Sequence, residues 1–205
     1  MELISRAVPL RVDMYKATVI LGSVRAGRMS SRVAKFVEAR LRATGAFEPE
    51  ILDLGELDLP IMEERLRLLK DPAPSVVEFG ARIASSDALV IVTPEYNGGI
   101  PGVLKNAIDY LLAEYKRKPV GIVTVSGGAF GGMQALGQLR LIMLAAGAYP
   151  VPVSFPVPKV QEALTEDGTP LDPMLEKRAS NMIGELLWLT EAVSERKARA
   201  AVASA

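Results

Sequence analysis

The sequence predicts a doubly wound α/β domain: a five-stranded parallel sheet in the order 2-1-3-4-5 with helices on both faces. Three observations carry this expectation. Short apolar runs rich in Val and Ile are followed by segments of helical spacing, and the pattern recurs five times. Within the runs apolar residues do not alternate with polar ones, as befits strands covered on both faces. No repeat or linker divides the 205 residues, and a chain of this length buries one full core.

Each element has its own reason. Residues 17–22 (ATVILG) are a β-branched run ending at glycine, the first strand. Residues 31–43 place Val33, Phe36, Val37 and Leu41 at helical spacing with charges between them. Residues 47–54 are the second strand. Residues 55–75 hold Pro60, Pro72 and Pro74 around a charged patch and read as a long loop with one turn of helix at most. A helix over 76–85 leads to the third and most apolar strand, 88–92 (ALVIV). Pro101 opens a helix through residue 115, where its fixed φ and missing N–H are tolerated. A fourth strand at 120–125, a helix at 133–146 and a fifth strand at 149–153 complete the sheet. A final amphipathic helix covers 172–193. The expected division is an N-terminal extension at 1–16, a domain at 17–195 and a frayed Ala-rich tail at 196–205.

Composition removes much chemistry. There is no cysteine and no histidine, hence no disulfide, no thiolate, no Ser-His-Asp triad and no zinc site on the usual nitrogen and sulfur ligands. Lys+Arg 24 against Asp+Glu 24 leaves no net charge, which argues against a general nucleic-acid or anionic-membrane binder. The uncharged stretches 119–139 and 141–158 are long enough to raise a membrane span, but glycines interrupt the first and Pro150, Pro152, Pro156 and Pro158 the second. Glu2 and Pro9 make the N-terminus a poor signal peptide, so the expected location is the cytoplasm.

Ligands of an open parallel sheet bind beyond the carboxyl ends of its strands, where strand order reverses. Here that point lies between strands one and three. The first loop, 22–31, carries Ser23, Arg25, Arg28, Ser30 and Ser31 with two glycines, directly before a helix. A helix N-terminus with unpaired N–H groups and nearby guanidiniums suits a phosphate; the alternative is that Ser30 or Ser31 only caps the helix and the arginines are solvated. The spacing Gly22 to Gly27 approaches a Walker A motif, but Arg28 and Met29 stand where lysine and a magnesium-binding hydroxyl belong. The G-x-G-x-x-G of a dinucleotide fold is also missing. The third-strand loop, Thr93-Pro94-Glu95-Tyr96-Asn97-Gly98-Gly99-Ile100-Pro101-Gly102, is stiff, rich in backbone donors and carries an aromatic ring. It suits a planar, polar-edged heterocycle; a plain Asn97-Gly98 turn is the alternative. Ser126, Gly127 and Gly128 begin a third glycine-rich loop at the same end, with close helix packing as its alternative role.

Residues 93–109, ending Val103-Leu104-Lys105-Asn106-Ala107-Ile108-Asp109, resemble the signature of the NADPH-dependent FMN reductase family, flavodoxin-like flavoproteins that include quinone, azo-dye and chromate reductases. The first loop, Gly-Ser-x-Arg-x-Gly-Arg, is similar to that family's, as is Ser126-Gly127-Gly128 through Gly131-Gly132 followed by Gln138-Leu139-Arg140. The resemblance spans roughly residues 17–150. It implies FMN as cofactor, with Ser23, Arg25, Arg28, Ser30 and Ser31 at the phosphate. Pro94, Glu95, Tyr96, Asn97 and Gly98 would line the isoalloxazine, and Ser126, Gly127 and Gly128 its other edge. Residues 1–16 depart from the family, and either a start at Met14 or an ordered extra segment would account for them.

The implied activity is ping-pong hydride transfer from NAD(P)H through FMN to a small acceptor such as a free flavin, quinone, azo compound or metal oxyanion. Such chemistry is the cofactor's and needs no histidine or cysteine. The amides of residues 97–99 are candidates for stabilising charge on the reduced ring, and no side chain is assigned as acid or base. A flavodoxin-type electron carrier and a nucleotide-binding or -hydrolysing protein are the alternatives. The helix at 133–146 carries only Arg140 as a charge. A helix apolar all round needs cover on two sides, so a homodimer or tetramer is expected, as in the family.

Overall fold

In the computed structural model, which describes residues 14–203, the apolar runs form strands β1 (Tyr15–Leu21), β2 (Phe47–Asp53), β3 (Ala88–Pro94) and β4 (Pro119–Val125). They pair in parallel in the order β2-β1-β3-β4, and a short β5 (Tyr149–Pro150) follows β4, giving the expected 2-1-3-4-5. Every residue of β4 is buried, whereas β2, at the edge, alternates buried with exposed. Successive side chains point to opposite faces, and the sheet therefore divides the interior in two. Ala17, Val19, Leu21, Val90, Val92, Val123 and Val125 pack under α1 (Ser30–Ala43) and α7 (Met174–Ala203). Ile20, Leu89, Ile91, Val120 and Ile122 face α3 (Pro74–Ser85), α4 (Gly102–Asp109) and α5 (Met133–Ala145). Two short helices complete the set: α2 (Leu54–Leu57) and α6 (Val160–Ala163). No helix among the described residues is long and apolar enough to cross a membrane.

The structure departs from the sequence reading at five places. The helix expected through residue 115 stops at Asp109, because the Tyr110 carbonyl accepts the Leu66 amide at 2.9 Å and is lost to the helical ladder. The chain then makes a separate 3₁₀ turn, Ala113–Tyr115. The loop at 55–75 holds α2 and a second 3₁₀ turn, Leu66–Leu68. The fifth strand, expected at 149–153, is broken: β5 covers two residues, 151–154 leave the ladder, and β6 (Phe155–Val157) pairs with β4 again, Val123 opposite Phe155. Proline cannot donate to a ladder and tolerates only edges and breaks. Arg140 of α5 holds the break, its Nη2 donating to Ser154 Oγ at 2.6 Å and Pro152 O at 3.1 Å. The last helix continues to Ala203, past the expected end at 193 and through most of the segment read as a frayed tail; alanine-rich sequence and the Glu195–Arg199 pair one turn apart favour helix there. Of the expected extension at 1–16, residues 1–13 lie outside the described residues, and Tyr15 and Lys16 already belong to β1.

At the amino end of the sheet Lys118 is buried just before β4. Its ammonium donates to the carbonyls of Ile83 (2.6 Å), Ala84 (3.2 Å) and Ser86 (2.5 Å) at the C-terminal end of α3, the negative end of the helix dipole. Burial pushes its pKa from 10.5 down to about 8; repulsion from Lys197 acts in the same direction, and Asp87 and Glu114 oppose it. The unfolded chain keeps this proton to higher pH than the folded chain, so unfolding takes up a proton between about 8 and 10.5. The contribution of Lys118 to stability therefore rises with pH across that window. Burial raises the phenols of Tyr110 and Tyr115 above their ordinary 10.0, which works in the opposite sense at higher pH. Urea titrations of the wild type and of Lys118→Met are expected to show a stability difference that shifts in favour of the wild type as pH climbs from 8. A difference independent of pH would contradict this.

Candidate functional site

Strand β1 ends at Leu21, and the Gly22 amide still bonds to Val92 O at 2.9 Å, so the first loop leaves the sheet beside β3. The Ser23 hydroxyl is buried and lies 2.7 Å from the Tyr96 hydroxyl, tying the first loop to the third-strand loop. A turn closed by Arg28 N to Arg25 O, with Gly27 at φ +70°, delivers the chain to α1. The helix receives no side-chain cap: Met29 is the N-cap, and the Ser31 hydroxyl turns back to Arg28 O at 3.0 Å. Ser30 Oγ is buried without any hydrogen-bond partner. An uncapped helix N-terminus beside an orphaned hydroxyl is a site short of an anion.

The third-strand loop folds as a two-residue hairpin turn. Tyr96 and Gly99 exchange both backbone hydrogen bonds at 2.9 and 3.1 Å, with Asn97 at φ +51° and Gly98 at +78°. Both central residues thus occupy the left-handed region that Asn-Gly tolerates. The Gly99 amide is consumed by this turn, which leaves only the amides of Asn97 and Gly98 from the three expected at residues 97–99. The loop is pinned to α5 from both sides. Glu95 Oε2 accepts the amides of Gln134 (2.8 Å) and Ala135 (3.1 Å), and Gln138 Oε1 accepts that of Ile100 (2.8 Å). Helix α5 starts after Gly132, which has no side chain to cap it, so Glu95 supplies the cap and the negative charge.

These loops enclose one cavity of about 350 Å³. Of the expected residues, Arg25, Arg28, Ser30, Pro94, Glu95, Tyr96, Ser126 and Gly127 line it. Ser23 stands behind Tyr96, and Ser31 is turned to its own loop. Asn97 and Gly98 sit on the exposed turn, and Gly128 O accepts the Lys159 amide at 3.0 Å. The two arginines differ. Arg25 is exposed, with no carboxylate in ion-pair range among the described residues, whereas the Arg28 guanidinium bonds to Asp53 and to Ser23 O. The sequence reading missed a fourth wall, Val160 and Gln161 of α6. Gln161 Nε2 donates to Gly127 O at 3.3 Å, and the Val160 amide bonds to Ser126 O at 3.1 Å. The only signal for that wall was the proline-broken segment before it.

Residues 15–162 match the sequence profile described as NADPH-dependent FMN reductase. The chain belongs to that family. The matched region runs from β1 to α6 and so contains every wall of the cavity. This member of the NADPH-dependent FMN reductase family is 31% identical over 191 residues to an NAD(P)H-dependent FMN reductase of Schizosaccharomyces pombe, covering 89% of this chain and 94% of that one. It is 35% identical over 162 residues to an NADPH azoreductase of a Bacillus species, covering 76% and 85%. Among solved structures, the flavoenzyme NAD(P)H:acceptor oxidoreductase FerB from Paracoccus denitrificans superimposes with a TM-score of 0.70 at 29% identity, covering 89% of this chain and 98% of that one. The chain is therefore an NAD(P)H-dependent flavoprotein oxidoreductase with FMN as its cofactor, rather than an electron carrier.

The residues present fit that cofactor. A phosphate needs donors and positive charge, which the uncapped α1 N-terminus, the partnerless Ser30 hydroxyl and the free Arg25 offer together. A flat heterocycle needs an apolar wall and in-plane donors, offered by Pro94, Tyr96 and the turn that follows.

Proposed function

We propose that the cavity holds the FMN phosphate at the N-terminus of α1, with Arg25, Ser30 and the first-turn amides as its donors. The orphaned Ser30 hydroxyl at an uncapped helix end carries this reading. Pro94, Glu95 and Tyr96 line one side of the space for the ring, with the exposed Asn97-Gly98 turn following them in the chain, and Ser126 and Gly127, next to Gly128, line its other edge, with Gln161 closing the wall. Bound there, FMN supplies the centre that accepts hydride from NAD(P)H and passes electrons to a small acceptor such as a quinone or an azo compound. The protein binds, orients and polarises. The Asn97 and Gly98 amides are held by the hairpin in a fixed direction and cost nothing to reorganise. Ser23 holds the Tyr96 ring through its hydroxyl, and Glu95 keeps the loop against α5. Two carboxylates of the 93–109 segment are already engaged: Glu95 caps α5, and Asp109 pairs with Lys105 at 2.6 Å. The exposed face of α5 reads as the contact between two copies in a homodimer.

Equilibrium titration of the flavin-free chain with FMN tests the site. Quenching of flavin fluorescence that saturates at one FMN per chain is expected, and unquenched fluorescence at micromolar chain would overturn the proposal.

A further inference from the structure

Asp53 ends β2, and neither the motifs nor the cavity lining includes it. Its carboxylate nevertheless has two partners. Oδ1 accepts the Gly55 amide at 2.8 Å and so caps α2, while Oδ2 meets the Arg28 guanidinium in a pair whose side chains are 12% and 22% exposed. The other arm of Arg28 donates to the carbonyl of Ser23, whose hydroxyl bonds to Tyr96. The path from Asp53 through Arg28 and Ser23 to Tyr96 is continuous and joins the ends of β2, β1 and β3. Gly55 leaves room for it: a Cβ there would lie 2.9 Å from Arg28 Nη1 and 3.2 Å from Asp53 Oδ1.

We infer that Asp53 is a positioning residue for the cofactor site, acting through Arg28, which braces the first loop rather than serving as the principal phosphate ligand. The inference rests on the FMN reading above and deepens it. A guanidinium that already faces a carboxylate is largely neutralised as an anion receptor, and its planar fork is suited to fixing two partners at once. Held so, the loop keeps its turn, presents Arg25 and leaves the first amides of α1 open.

The two roles of Arg28 predict opposite signs. If Arg28 is a phosphate ligand, Asp53→Asn removes a competitor and FMN binds as tightly as before or more tightly. If Arg28 is a brace, Asp53→Asn weakens FMN binding by about 10-fold, the scale of one charge-assisted bond. Arg28→Gln then does about the same, and the double variant is no worse than either alone. Gly55→Ala keeps both charges and pushes the guanidinium aside, so it reports on the brace even where Asp53→Asn folds poorly; it too is expected to weaken FMN. Riboflavin lacks the phosphate and serves as the control. A brace on the phosphate loop lowers the preference for FMN over riboflavin, whereas general loss of structure lowers both affinities together. The measurement is flavin-fluorescence titration of wild type and variants with FMN and with riboflavin, alongside circular dichroism. Tighter or unchanged FMN binding in Asp53→Asn, additive losses in the double variant, or parallel losses for both flavins would overturn the inference while leaving the FMN site standing. A wild type that binds no FMN would overturn both.

Discussion

Arg25→Ala is expected to weaken FMN binding by roughly 10- to 150-fold while leaving turnover at saturating FMN nearly intact. Arg25 is exposed in the loop before α1, lines the cavity and has no carboxylate in ion-pair range among the described residues. Loss of a charge-assisted contact to phosphate costs about 1.5–3 kcal/mol, which is the stated change in affinity. The ring is assigned to Pro94–Gly98, on a different loop, and the Ser23–Tyr96 bond that orients Tyr96 does not involve the Arg25 side chain. The loss therefore appears in binding and not in the rate of the loaded enzyme. Titration with FMN, followed by NADPH oxidation at saturating FMN, separates the two. An unchanged dissociation constant would make Arg25 a solvated surface residue and move the phosphate elsewhere.

Leu141→Glu combined with Leu144→Glu is expected to convert the proposed dimer to monomers. Helix α5 buries Ala135, Leu136, Leu139 and Met143 against the sheet. Its other side exposes Met133 at 52%, Leu141 at 70% and Leu144 at 53%. Arg140, the one charge in the helix, is turned to Ser154 and the break in the fifth strand, which leaves the exposed face without charge. A two-fold contact places the same patch on itself, so two glutamates per chain bring four like charges together. Like charges juxtaposed in an interface cost several kcal/mol, enough for a shift of about 1,000-fold in the dimer constant at about 4 kcal/mol. Light scattering at micromolar concentration is expected to give a dimer for the wild type and a monomer for the variant. A monomeric wild type would contradict the proposed assembly.

Much of the fold was legible because the signals were local. The runs that became β1, β3 and β4 are apolar without alternation, and all of them lie buried in the middle of the sheet. Gly22, Asn97-Gly98 and Pro101 marked the places where strands yield to the site loops. What escaped the sequence reading depends on distant partners. Helix α4 ends early because Leu66, far back along the chain, takes a carbonyl from it. Strand β6 was missed because prolines argue against a strand, yet an edge strand pairing on one side needs only every other N–H, and Pro156 falls between the paired ends. With β6 went α6, and with α6 the Gln161 wall. The two arginines of the first loop look equivalent in sequence; Asp53, 25 residues from Arg28, makes them different.

The central claim is that the cavity holds an FMN that NAD(P)H reduces and a small acceptor reoxidises. Anaerobic rapid mixing of the FMN-loaded chain with NADPH, followed by a quinone in a second mix, tests it most directly. The visible absorption of the bound flavin is expected to bleach at least as fast as steady-state turnover and to return in full with the quinone. A flavin that dithionite bleaches but NADPH does not, at any rate relevant to turnover, would contradict the account.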